Sequence, residues 1–151
     1  MKIAVFFHVL GVVVWVGGMF FAYMALRPAA AKLLEPPQRL LLWQDTLRRF
    51  FHWVWLAVAL VLASGLWMFL EMGGFAGAPV YVHAMFLVGV VMMVIFAQVS
   101  FAPFRELSTS VTAKDWKAAG AALGRIRQRV GLNLVLGLLT IAIATVGAVT
   151  D

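Results

Sequence analysis

The sequence predicts an all-α membrane protein: a four-transmembrane-helix bundle with interfacial amphipathic helices on its cytoplasmic side. Three observations carry this. Of the 151 residues, 64% are hydrophobic and only 12% are charged, about half the charge of an ordinary soluble domain. Mean hydropathy is +1.00. Four uncharged stretches, at about residues 3–26, 50–70, 80–102 and 130–149, each reach the ~20 residues a helix needs to cross the hydrocarbon core. They leave a single transmembrane domain over 1–151.

The first stretch follows Lys2 and precedes Ala29-Ala30-Ala31, an outline shared with secretory signal peptides. Its apolar run exceeds the roughly 7–15 residues of a signal core, and Arg27-Pro28 separates it from the alanines, so it is read as a span. Pro36-Pro37 breaks the following connection, and 38–49 is expected to resume as an interfacial helix. The second and third spans are joined by Gly73-Gly74-Phe75-Ala76-Gly77-Ala78-Pro79, a short glycine-rich link that predicts a tight antiparallel pair. Before the fourth span, Thr112 with Asp115 has the spacing of a capping box. Trp116, Ala119, Leu123, Ile126 and Val130 then recur at helical intervals, so an amphipathic helix is expected to run into the last span. Tryptophans at 43, 53, 67 and 116 fall near predicted interfaces and read as belt residues.

Positive charge sets orientation. The first connection holds Arg27, Lys32, Arg39, Arg48 and Arg49; the third holds Arg105, Lys114, Lys117, Arg125, Arg127 and Arg129; the second holds none. Eleven of the twelve basic residues therefore share one side, with Lys2 opposite. That pattern predicts that both termini face outward and that the basic side is cytoplasmic. The net charge of +6 then serves topology and attraction to anionic lipids rather than nucleic acid. Without cysteine, no disulfide or zinc-thiolate site can form.

An ionisable group inside a span is expensive unless partnered, which makes each one a candidate for function. His8 and His83 lie at similar depth from the same side of the first and third spans, and Glu71, Met68, Met72 and Met85 belong to that layer. Two imidazoles with thioethers and a carboxylate nearby suit a metal or a haem iron. The His8 face continues through Gly11, Trp15 and Gly18, with Gly65 on the second span, where small residues serve either close packing or a flat macrocycle. A second layer holds His52, Gln98 and Asn133, which either bond to one another across helices or form a further ligand or proton path. Arg48 and Arg49 beside it suit propionates or lipid headgroups. Gly137, Thr140, Ala144 and Gly147 line one side of the fourth span, for packing within the chain or for a homodimer.

His8, Trp15-Val16-Gly17-Gly18-Met19, Leu26-Arg27-Pro28 and Val82-His83-Ala84-Met85 resemble the four-helix membrane proteins of the copper-resistance D (CopD-like) family. The similarity extends more faintly to membrane protoporphyrinogen oxidases of the HemJ type. The resemblance covers essentially the whole chain through short apolar motifs. Copper-resistance D proteins are implicated in moving copper across the inner membrane, whereas HemJ-type proteins bind haem b and oxidise a porphyrinogen. By this likeness His8 and His83 match the histidines of the first and third spans, and Arg27 an arginine closing the first. The HemJ-type lysine two residues after the third-span histidine is Met85 here, which speaks against porphyrinogen oxidation.

The leading expectation is a small haem-b or redox-type protein, an oxidoreductase or electron carrier with His8 and His83 on one iron and Arg27, Trp15 and Gly18 around the cofactor. The second is a copper-handling protein whose ligands are His8, His83, Met85, Met68, Met72 and Glu71. A membrane assembly subunit without ligand is the third.

Overall fold

A computed structural model describes residues 1–150. The elements are α1 (Lys2–Phe21), a π-helical turn (Ala22–Leu26), α2 (Arg27–Leu33), α3 (Pro36–Glu71), the single turn α4 (Gly74–Gly77), α5 (Val80–Phe101), α6 (Pro103–Thr112) and α7 (Trp116–Thr150). Four helical rods, Lys2–Leu33, Pro36–Glu71, Val80–Thr112 and Trp116–Thr150, are long and apolar enough to cross a membrane. Phe6, Val13, Trp67, Leu87 and Val135 are each more than 60% exposed, a surface that only lipid would cover favourably.

The first rod does not end at residue 26 as expected but continues to Leu33. Pro28 donates no N–H, and its ring would strike the carbonyl of Met24 in a regular helix. The turn before it widens instead, with the Arg27 N–H bonded to the Ala22 carbonyl, and the helix passes the proline without stopping. Beyond α3 the chain reverses through Gly73, whose φ of 91° is open to glycine at no steric cost.

α1 packs along α3 and α5 along α7, while α7 also touches α1 and α3. Gly11 makes the first contact close: a Cβ there would come within 2.7 Å of Val61 Cγ2 and 3.0 Å of the Ala57 carbonyl oxygen. At mid-height the rods meet around Trp15, Phe51 and Phe96, all buried, with ring centroids 6.2 Å apart for Trp15–Phe96 and 5.3 Å for Phe51–Phe96.

The basic end differs most from expectation. Residues 38–49 are not a separate helix but the first part of α3, and Leu40, Trp43 and Leu47 are buried in the core cluster that contains Leu107, Val111, Ala119, Ala122 and Ile126. Trp43 is thus a core residue and not part of an aromatic belt; Trp53 and Trp67, both exposed, keep that reading. α6 was not foreseen. Pro103 at its start and Leu107 and Val111 on its buried face are the signals that would have found it. Asp115 itself caps α7 by accepting the Ala118 N–H at 3.1 Å. Thr112 sits at the end of α6 and donates to the Ser108 carbonyl, so the expected capping box is corrected to a single aspartate cap.

Candidate functional site

His8 is half-buried on the face of α1 that meets α3. Its Nδ1 lies 3.1 Å from the Val61 carbonyl oxygen and 3.1 Å from Ser64 Oγ. A carbonyl only accepts, so Nδ1 carries the proton. Ser64 donates its own hydroxyl to the Leu60 carbonyl and receives a share of the imidazole N–H. The ring occupies a notch left by Gly65, where a Cβ would sit 3.0 Å from His8 Cε1.

His83 is fixed differently. Its Nδ1 donates to the Pro79 carbonyl at 3.0 Å, one turn back in α5, and its ring is walled by Phe69 and Phe75, each with its centroid 5.8 Å away. His52 repeats that local bond, donating to the Arg48 carbonyl at 2.6 Å. In all three histidines the proton is held on Nδ1 by a carbonyl, which leaves Nε2 as the nitrogen with the lone pair. Second-partner bonds of this kind fix the tautomer of metal-binding histidines.

Both outer-layer imidazoles therefore border the last third of α3. His8 sits at the level of Val61 to Gly65 and His83 against Phe69. Met68 and Met72 are partly buried on this same stretch of α3, and Met85 is partly buried two residues beyond His83. Glu71 is turned to the surface, where it accepts the Trp67 indole N–H at 2.7 Å and lies 3.4 Å from the amine of Met1. Among the described residues no three His, Asp or Glu side chains gather into a group that could hold a metal ion.

The residues expected to surround a cofactor have other occupations. Trp15 stacks edge-on against Phe96. The space beside Gly18 is filled by the Phe50 ring. The Arg27 guanidinium lies 4.7 Å over the Tyr23 ring. Gly65 makes room for His8 itself and Gly11 for the contact with α3, so these glycines serve packing and not a macrocycle. The haem reading, and the electron-transfer role built on it, gain no support from this geometry.

The second layer is also rearranged. His52 is exposed, Gln98 accepts from Arg129 Nη1 at 3.3 Å, and Asn133 donates Nδ2–H to the Met92 carbonyl at 3.1 Å. The three do not bond to one another as one sequence reading had them. Arg48 and Arg49 both pair with Asp45 on their own helix. On α7, Gly137 packs against Val16 and Met92 and Gly147 against Tyr81; that small-residue stripe is used within the chain.

Four membrane-crossing rods with polar groups confined to a few tethered side chains define an integral membrane protein. The family model of copper resistance protein D (CopD) matches residues 44–147, and the chain belongs to that family. The match spans most of α3 and continues into α7; α1, with His8, lies outside it. No curated protein and no solved structure matches the chain significantly.

Proposed function

We propose that the protein handles copper within the membrane, taking Cu(I) as cargo at the end of the bundle opposite the basic connections. His8 and His83 supply Nε2 donors, and Met68, Met72 and Met85 supply thioethers. Membership of the CopD family supports copper at the level of the family. One observation carries the reading to these residues: both imidazoles have Nδ1 committed to a carbonyl and both border the stretch of α3 that carries Met68 and Met72. Neutral imidazole and thioether are donors suited to Cu(I). In this reading the basic side faces the cytoplasm of a bacterial inner membrane and its anionic lipids, and both termini face outward.

The test is copper content of the detergent-purified chain after loading with Cu(I) and removal of excess. Stoichiometric copper is expected in the wild type, with loss in His8→Ala and in His83→Ala and weaker retention in Met68→Leu with Met72→Leu. Copper held equally by the double histidine variant would overturn the assignment. A Soret band abolished by the two histidine substitutions would restore the haem alternative, and histidine variants that alter only stability would point to an assembly subunit.

A further inference from the structure

At the basic end, α6 and the start of α7 form a hairpin packed through Leu107, Val111, Ala119 and Ala122, all buried. Beside that seam lies an open groove of about 420 Å³, within the ~300–1,000 Å³ that small-ligand pockets span. Arg105, Glu106, Thr109 and Ser110 of α6 form one wall, and Ala121 and Arg125 of α7 belong to the other. Arg125 pairs with Glu106, so those two charges offset each other and the Arg105 guanidinium leaves the lining net positive. Arg105 and Thr109 are four residues apart and share one face of α6, one row over from Glu106. Phe101, which closes α5, is 57% exposed, and the Arg105 guanidinium carbon lies 5.8 Å from the centre of its ring. One end of the groove therefore adjoins surface that lipid covers.

We propose that this groove binds an anionic phosphate ester of the kind a phospholipid headgroup presents, with Arg105 as its principal contact. A guanidinium offers a planar fork of N–H donors that matches two phosphate oxygens at once, and the Thr109 hydroxyl on the same row can donate to a third. A cation would be repelled by the two arginines, and a purely apolar ligand would strip water from them. An amphiphile meets neither penalty: its phosphate lies against Arg105 while its chains run down past Phe101. Ala121 keeps the opposite wall low enough to leave room for the headgroup. Basic pockets beside the headgroup layer recognise anionic lipids by this chemistry. The site is independent of the copper reading and of which side of the membrane the basic end faces.

The test is native mass spectrometry of the full-length protein in detergent, titrated with phosphatidylglycerol or with zwitterionic phosphatidylcholine. The first phosphatidylglycerol adduct is expected to form several-fold more tightly than the phosphatidylcholine one. Arg105→Gln is expected to abolish that preference, and so is Ala121→Leu, which fills the groove and leaves every charge in place. Lys32→Gln removes a basic group of the same end outside the groove and is expected to keep the preference. Equal binding of the two lipids by the wild type would overturn the proposal, as would a preference that survives Arg105→Gln or Ala121→Leu, or one lost equally in Lys32→Gln. Arg105 and Ala121 are exposed, so neither change disturbs the core. Inorganic phosphate added as competitor separates the sources. Displacement of the lipid shows that the phosphate alone is read, and persistence shows that the chains beside Phe101 add to it; either result upholds the site.

Discussion

At the scale of single residues, the glycines separate into those that hold the bundle together and those that do not. Gly11 faces α3 so closely that any side chain meets backbone, whereas Gly17 has nothing within 4 Å of its would-be Cβ. Gly11→Ala is expected to destabilise the protein by about 1–3 kcal/mol, as overpacking a tight contact does. Gly17→Ala is expected to stay within about 1 kcal/mol of wild type. Thermal unfolding of both variants in detergent checks the contrast. From sequence Gly11 lies on the His8 face and Gly17 beside it, but spacing alone does not say which side of a helix meets a partner. The histidines were legible as polar groups inside spans. Their tethers to Val61, Ser64 and Pro79 were not, because backbone acceptors leave no mark in the sequence.

At the scale of elements, the ends of helices are where local chemistry decides. Lys114 takes a left-handed φ of 56°, which lets the chain turn sharply so that Asp115 can cap α7. Asp115→Ala is expected to cost about 1 kcal/mol, while Thr112→Ala, which removes only a bond back to its own helix, costs less; unfolding of the two variants measures the difference. The pattern Leu40, Trp43, Leu47 illustrates why the basic end was misread. An amphipathic stripe buries its apolar face equally well in a membrane surface or against other helices, and its periodicity is the same in both. α6 supplies the covering surface, and a ten-residue helix with only Pro103, Leu107 and Val111 fully buried gives a faint signal. Pro28 was visible as an interruption. That a π-helical turn carries the rod through it depends on geometry that no residue type encodes.

At the scale of the whole molecule, the four spans were legible because hydrocarbon demands ~20 apolar residues per crossing and tolerates little ambiguity. Orientation rests on the basic side chains of the first and third connections, and absence of cysteine makes it testable. Ala76→Cys and Lys117→Cys lie on opposite sides. In intact cells a membrane-impermeant maleimide is expected to label the first and spare the second until the membrane is opened; the reverse pattern would invert the topology. α3 and α7 have 36 and 35 residues, which is roughly 54 Å of helix against ~30 Å of hydrocarbon. The surplus is packed around Leu107, Ala119 and Ala122, each 0% exposed, so contacts within the chain hold it. Helix covered by its own chain in this way keeps its form wherever the edge of the hydrocarbon falls along it.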